Sequence, residues 1–231
     1  MAKETVSIPP DNPGAIQTVE LLQRRWLSKK AFEIELSRPP SFEFKAGQTI
    51  LLIHQSIKRY YSLLSAPSDP NLTLCVYHLP EGRLSSVLAI AEVGFPIKLT
   101  GPHGYFTFKP SSRKPVFIAT CTGIAPFISF ARSGVTDFTL LHQALSADEL
   151  YYRSYFQKAT PRYFSCLSQA TNTDTSLPNL FCGKISECIS KNLQPGSYDF
   201  YLCGEREMIR EVILLIDEIY PESRVYTEIF Y

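Results

Sequence analysis

Four consecutive residues, Arg59-Tyr60-Tyr61-Ser62, put a cation, an aromatic face and a hydroxyl within one short stretch. Side chains alternate along a strand, so Arg59 and Tyr61 share one side and Tyr60 and Ser62 the other. A cation suits a phosphate, a flat ring suits stacking and a hydroxyl suits the edge of a heterocycle, which together are what a flavin needs. Standing alone, the same residues make an ordinary barrel strand with a core tyrosine and a surface arginine. A second segment, Gly82-Arg83-Leu84-Ser85-Ser86-Val87-Leu88, sets a glycine, a cation and two hydroxyls at a helix start, where backbone N–H groups favour an anion. Its plain alternative is an N-cap made by Ser85. A third, Cys121-Thr122-Gly123-Ile124-Ala125-Pro126, follows an apolar run and lets backbone approach a phosphate at Gly123. A tight strand-to-helix turn with no ligand accounts for it equally. Cys203-Gly204-Glu205 closes a later apolar run, and the last four residues are Glu228-Ile229-Phe230-Tyr231.

The elements that must position these segments differ between the two halves. To about residue 109 the chain reads as β: 31–36 alternates, and 49–54, 59–64 and 72–77 are short runs rich in aromatic and branched residues. Pro39-Pro40, Ala46-Gly47 and 65–70 punctuate them, and strands at this spacing predict an antiparallel β-barrel. One helix, 85–91, interrupts it before Gly94, and 101–106 reads as a turn that ends the barrel. From Pro115 the pattern becomes strand–helix alternation, with strands at 115–120, 138–142, 162–167, 198–203 and 224–229. Helices are predicted at 126–132, 147–157, 184–191 and 205–219, and 168–179 as a polar surface loop. This predicts a two-domain chain, a barrel at 1–109 followed by an α/β doubly wound parallel sheet at 110–231. Ligands of such sheets lie beyond the carboxyl ends of the strands, where the strand order reverses. With the order 3-2-1-4-5, the segments at Cys121 and Cys203 end neighbouring strands on either side of that crevice.

Taken in order and spacing, Arg-x-Tyr-Ser (59–62), Gly-x-x-Ser-x-x-Leu (82–88), Gly-Pro-x-Gly (101–104), Thr-Gly-Ile-Ala-Pro (122–126), Cys-Gly-x-x-x-Met (203–208) and Glu-x-Phe-Tyr (228–231) resemble the ferredoxin–NADP reductase family. The resemblance runs from about Val19 to Tyr231. It implies FAD on the barrel and NADH or NADPH on the sheet. Hydride would pass from nicotinamide to FAD, and electrons onward to a ferredoxin, a flavodoxin or an oxygenase component. It implies that Arg59 pairs with the FAD phosphates, Tyr61 stacks on the isoalloxazine and Ser62 hydrogen-bonds near N5. Arg83, Ser85 and Ser86 would hold the pyrophosphate region, and Tyr60, Tyr77, His78, Gly82 and Leu84 complete the expected FAD set. Thr122, Gly123, Gly204 and Glu205 would meet the dinucleotide, with Cys203 approaching the nicotinamide ring. Glu228 would lie near the flavin, and Tyr231 would cover its face until nicotinamide displaces it. Ser62, Cys203, Glu228 and Tyr231 are then the expected catalytic residues. The chain departs from the family in three places. Cys121 stands where glycine is usual, and His142-Gln143-Ala144-Leu145 replaces His-Gly-x-Arg. Ser165-Cys166-Leu167-Ser168 lacks the arginine that grips the 2′-phosphate of NADP, which favours NADH, with Lys158, Arg162 or Lys184 as substitutes.

Composition narrows the function classes. A chain of 231 residues, 45% hydrophobic, suits two domains of about 100–130 residues. A net charge of +1 with no basic run beyond the cluster around Trp26 excludes a nucleic-acid binder. The six cysteines show no CxxC pairing, so no zinc site is expected and any iron–sulfur centre belongs to another protein. The four histidines are dispersed and read as structural, with His78 on a strand from which it could touch the flavin edge. No apolar leader and no run of about 20 apolar residues is present, so a cytoplasmic protein without a membrane span is expected. Two other readings stand beside the reductase: a reductase for free flavin or ferric iron, and a non-catalytic flavin-binding module.

Overall fold

The computed structural model describes residues 14–169 and 177–230. Its contacts divide these into two compact units, one of residues 14–108 with Ala125–Gly134, the other of Lys109–Ile124 with residues 135–230.

The first unit holds strands β1 (Gln17–Trp26), β2 (Ala31–Ser37), β3 (Thr49–His54), β4 (Ile57–Ser62), β5 (Asn71–Tyr77), helix α1 (Arg83–Ile90) and β6 (Pro96–His103). The strands form an antiparallel sheet in the order β4-β3-β6-β1-β2-β5. A bridge between Leu63 and Leu74, reinforced by Leu64 N–H donating to Thr73 O at 2.8 Å, joins the two ends and closes the barrel. Phe32, Ile34, Leu52, Leu74 and Leu99 fill it, and α1 plugs it with Leu84 and Leu88, one turn apart on one face. Arg24 of β1 donates to the carbonyls of Ala91 at 2.5 Å and Leu88 at 3.3 Å, a cation set on the negative end of α1.

The barrel differs from expectation in four places. β1 and β6 are additional strands. β6 continues through Gly101–His103, where a turn was expected, and carries a cis Gly101-Pro102 bond. β4 begins and ends two residues earlier than expected. The helix also starts earlier and ends at Ile90, before Gly94.

The second unit holds β7 (Lys114–Thr120), a 3-10 turn (Cys121–Ile124), β8 (Thr139–Ala144), α3 (Arg153–Ala159), β9 (Tyr163–Leu167), β10 (Leu180–Cys182), α4 (Ile185–Asn192), β11 (Tyr198–Glu205), α5 (Arg206–Ile219) and β12 (Arg224–Phe230). All six strands are parallel, in the order β10-β9-β8-β7-β11-β12. The inner five give the order 3-2-1-4-5, and β10 is an added edge. The helix expected over 147–157 is broken. A 3-10 turn (Ala147–Glu149) precedes α3, and between them Tyr152 takes a left-handed φ of 59°, which a continuous helix does not allow. Of the loop expected at 168–179, residues 170–176 lie outside the described residues.

Helix α2 (Ala125–Arg132), which follows β7 in sequence, packs with the barrel unit. Ser129 Oγ donates to Ser65 O at 2.7 Å, and Phe130 stacks on Phe106 at 5.9 Å. Among the described residues no helix is long and apolar enough to cross a membrane, and no group of three or more His, Cys, Asp or Glu side chains is placed to hold a metal ion.

Candidate functional site

On the barrel, β4 carries the cation-and-ring segment and packs beside α1. Tyr61 lies opposite Ile50 with its ring against the barrel core. Burial pushes its hydroxyl up to about 12, and the nearby Arg59 charge works against that rise. Strand alternation in β4 puts Arg59 and Tyr61 on one side. The Arg59 guanidinium is exposed and donates to Lys58 O at 2.8 Å. Tyr60 faces the other way, its ring edge-on to His103 at 5.5 Å, and Ser62 is buried opposite Thr49.

Tyr77 ends β5, His78 N–H donates to Lys30 O at 2.7 Å, and the chain turns through 79–82 into α1. Ser85 Oγ lies 3.3 Å from both N and O of Leu79, and Ser86 Oγ donates to Leu79 O at 3.1 Å and Pro80 O at 3.0 Å. Both hydroxyls thus pin the turn instead of capping the helix, whose N-cap is Gly82. A side chain at Gly82 would meet Leu79 Cβ at 2.9 Å, so glycine is what lets the turn close. The first-turn amides of Arg83, Leu84 and Ser85 have no carbonyl one turn back within the helix. An exposed guanidinium, a ring seated on the core and a helix start with open amides form a donor set that fits a phosphate-bearing flat cofactor.

On the parallel sheet, β7 and β11 are neighbours, and their carboxyl ends interlock. A Cβ at Gly123 would run into Cys203 O, lie 2.7 Å from Cys203 C and 2.9 Å from Gly204 Cα. Gly204, at φ 137°, would in turn drive a side chain into Thr120 Oγ1. Thr120 Oγ1 instead accepts Glu205 N–H at 2.9 Å. Thr122, Gly123, Cys203, Gly204 and Glu205 are thus brought together at the switch point. Glu228 stands beside Cys203 in the β11–β12 register. Cys203 is fully buried, and burial, reinforced by the Glu228 charge, holds its thiol well above the ordinary thiol range. Tyr231 lies outside the described residues.

Cys121 adopts φ 45°, the left-handed conformation that suits the glycine usual there. Its thiol reaches Glu149 Oε2 at 3.8 Å, and its carbonyl lies 3.2 Å from His142 Nε2. His142 is fully buried, with Nδ1 3.3 Å from Tyr163 OH, and burial pushes its pKa down to about 4. A neutral imidazole therefore braces the loop from beneath. Sequence reasoning missed Thr120 and Glu149. A hydroxyl ending an apolar strand was the available signal for the first, and nothing local marked the second.

Comparisons with known proteins give the same two parts. A model of oxidoreductase FAD-binding domains matches residues 19–108, and a model of oxidoreductase NAD-binding domains matches residues 117–213. Ferredoxin–NADP reductase A of Sorangium cellulosum is 26% identical over 89% of this chain and 84% of its own length. Ferredoxin–NADP reductase B of the same organism is 38% identical over 41% of each chain. The toluate 1,2-dioxygenase electron transfer component of Pseudomonas putida is 30% identical over 67% of this chain and 48% of its own. In fold, the chain matches a ferredoxin NADP+ reductase from Neisseria gonorrhoeae with bound FAD and NADP. The TM-score is 0.83 at 23% identity, covering 94% of this chain and 99% of that one. With an FAD-binding and an NAD-binding domain in succession, the chain belongs to the ferredoxin–NADP reductase-like family of oxidoreductases.

Proposed function

We propose that this protein is a cytoplasmic NAD(P)H-dependent FAD reductase that hands electrons to a separate carrier protein: a ferredoxin, a flavodoxin or an oxygenase component. Bound FAD supplies the acceptance of a hydride and its release as single electrons. The observation that carries this reading is the pair of loops ending the neighbouring strands β7 and β11 at the point where the strand order reverses, the place where a parallel sheet binds its ligand, held against each other by the absence of side chains at Gly123 and Gly204.

In this reading Arg59 and the first-turn amides of α1 hold the FAD phosphates, with Ser85 and Ser86 fixing the turn that aims those amides. Tyr61 offers its ring to the isoalloxazine and Ser62 a hydroxyl near N5. Tyr60, Tyr77 and His78 border the same surface, and Gly82 and Leu84 shape it through backbone and core packing. Thr122, Gly123, Gly204 and Glu205 receive the dinucleotide. Cys203 approaches the nicotinamide ring from the end of β11 as a buried neutral thiol, with no competing thiolate nucleophile. Burial, reinforced by the Glu228 charge, keeps that thiol protonated.

NADH is the favoured donor. Ser165 and Cys166 are buried, Arg162 pairs with Asp137, and Lys184 pairs with Glu211 at 3.6 Å, so two of the three substitute cations are engaged elsewhere. The likeness to the toluate dioxygenase electron transfer component over 67% of this chain supports a protein acceptor. The test is reoxidation of the NADH-reduced protein under argon. A ferredoxin or flavodoxin should reoxidise it at least tenfold faster than free FMN or ferric citrate; the reverse order would make it a small-acceptor reductase.

A further inference from the structure

We propose that Trp26, the single tryptophan of the chain, is the platform on which the adenine of FAD stacks; this rests on the FAD-reductase reading above. Three aromatic rings of the barrel unit are markedly exposed: Trp26 at 46%, Tyr60 at 39% and Tyr105 at 59%. Tyr60 adjoins Arg59, and Tyr105 follows β6. Trp26 ends β1 and touches His78, the residue that leads into the turn before α1. Any ligand whose phosphates sit at the α1 N-terminus must send its second half onto the surface bordering that turn. The exposed apolar side chains bordering it are Trp26, Leu79 and Pro80, a floor suited to a flat base beside the charged Glu81 and Arg83.

The indole is also held in place. Phe32 lies 5.0 Å away at 59° on one side, and His78 meets it edge-on at 5.5 Å and 87°. The main chain at His78 is tied down by its backbone N–H, which donates to Lys30 O at 2.7 Å. A ring immobilised before binding gives up little side-chain freedom when a base settles on it. A purely structural Trp26 would be buried, whereas the residue is 46% exposed.

FMN carries the isoalloxazine and one phosphate but no adenosine, so comparing it with FAD isolates the adenine contact. Calorimetric titration of the flavin-free full chain should show FAD bound more tightly than FMN. Trp26→Ala should weaken FAD roughly 5- to 150-fold and leave FMN unchanged, and Trp26→Phe should keep most of the FAD preference. The unchanged FMN affinity reports that the variant is folded. ADP, which cannot accept excitation energy as a flavin does, should quench Trp26 emission in the parent chain. Equal losses for FAD and FMN, an unchanged FAD:FMN ratio, or no ADP quenching would overturn the proposal. A parent chain that binds neither flavin would overturn the reductase reading with it.

Discussion

Substituting Gly123→Ala tests the switch-point interlock most sharply. Gly123 needs no left-handed backbone, so the effect of a methyl group there is steric. The new Cβ would lie 2.7 Å from Cys203 C and 2.9 Å from Gly204 Cα, whereas ordinary contact begins at 3.4 Å. The obstructing atoms are backbone, so no rotamer change relieves the clash, and the two loops must part by at least 0.7 Å. Overpacking of this kind costs about 1–3 kcal/mol of stability. Function should suffer more, because a reacting group displaced by about 1 Å loses on the order of 100-fold in rate. The assay pairs urea unfolding with anaerobic stopped-flow bleaching of the flavin by NADH. Gly94→Ala is the control: it is strained at φ 87° but has nothing within 4 Å, so it should lose about 1 kcal/mol of stability and no bleaching rate. A Gly123→Ala protein that bleaches within twofold of the parent would refute the reasoning.

Arg59→Ala should weaken FAD binding by about 1.5–3 kcal/mol with little change in the unfolding midpoint, since the guanidinium is exposed; unchanged FAD affinity in an equilibrium titration would remove Arg59 from the site. Cys121→Gly relieves a left-handed cysteine and should hold NADH at least as tightly as the parent; a tenfold loss by titration would instead assign the thiol a direct binding role. His142 is neutral in the fold down to about pH 4, whereas the unfolded chain takes up that proton near 6.5. Its contribution to stability is therefore full above 6.5 and falls away as pH drops toward 4, by about 3 kcal/mol in all. Urea midpoints should show the parent losing that much more than His142→Asn across this window, and parallel curves would contradict the burial argument.

Much of the scaffold was legible because burial leaves a plain mark. The continuous apolar run ending at Thr120 suited a strand covered on both faces, and strand–helix alternation predicted the doubly wound parallel sheet, whose strands take the common order 3-2-1-4-5. β1 was harder to read because its alternation breaks at a register shift between Leu21 and Gln23, leaving a polar stretch through Arg25. β6 hid behind Gly101-Pro102, which punctuates sequence without ending this strand. Tyr152 carries no hint of its left-handed backbone, so the helix break escaped notice. At the site, the residue types announced a ring and a phosphate. Which groups of Ser85 and Ser86 remain for the phosphate depends on a turn whose carbonyls claim both hydroxyls, and that competition is settled by geometry.

The most direct test of the central claim is an anaerobic absorbance titration of the FAD-loaded protein with NADH and NADPH in parallel. The site described here predicts full bleaching of the flavin band, with NADH the more effective donor. A flavin band that persists with both nicotinamides would contradict hydride transfer and leave a chain that binds flavin without reducing it.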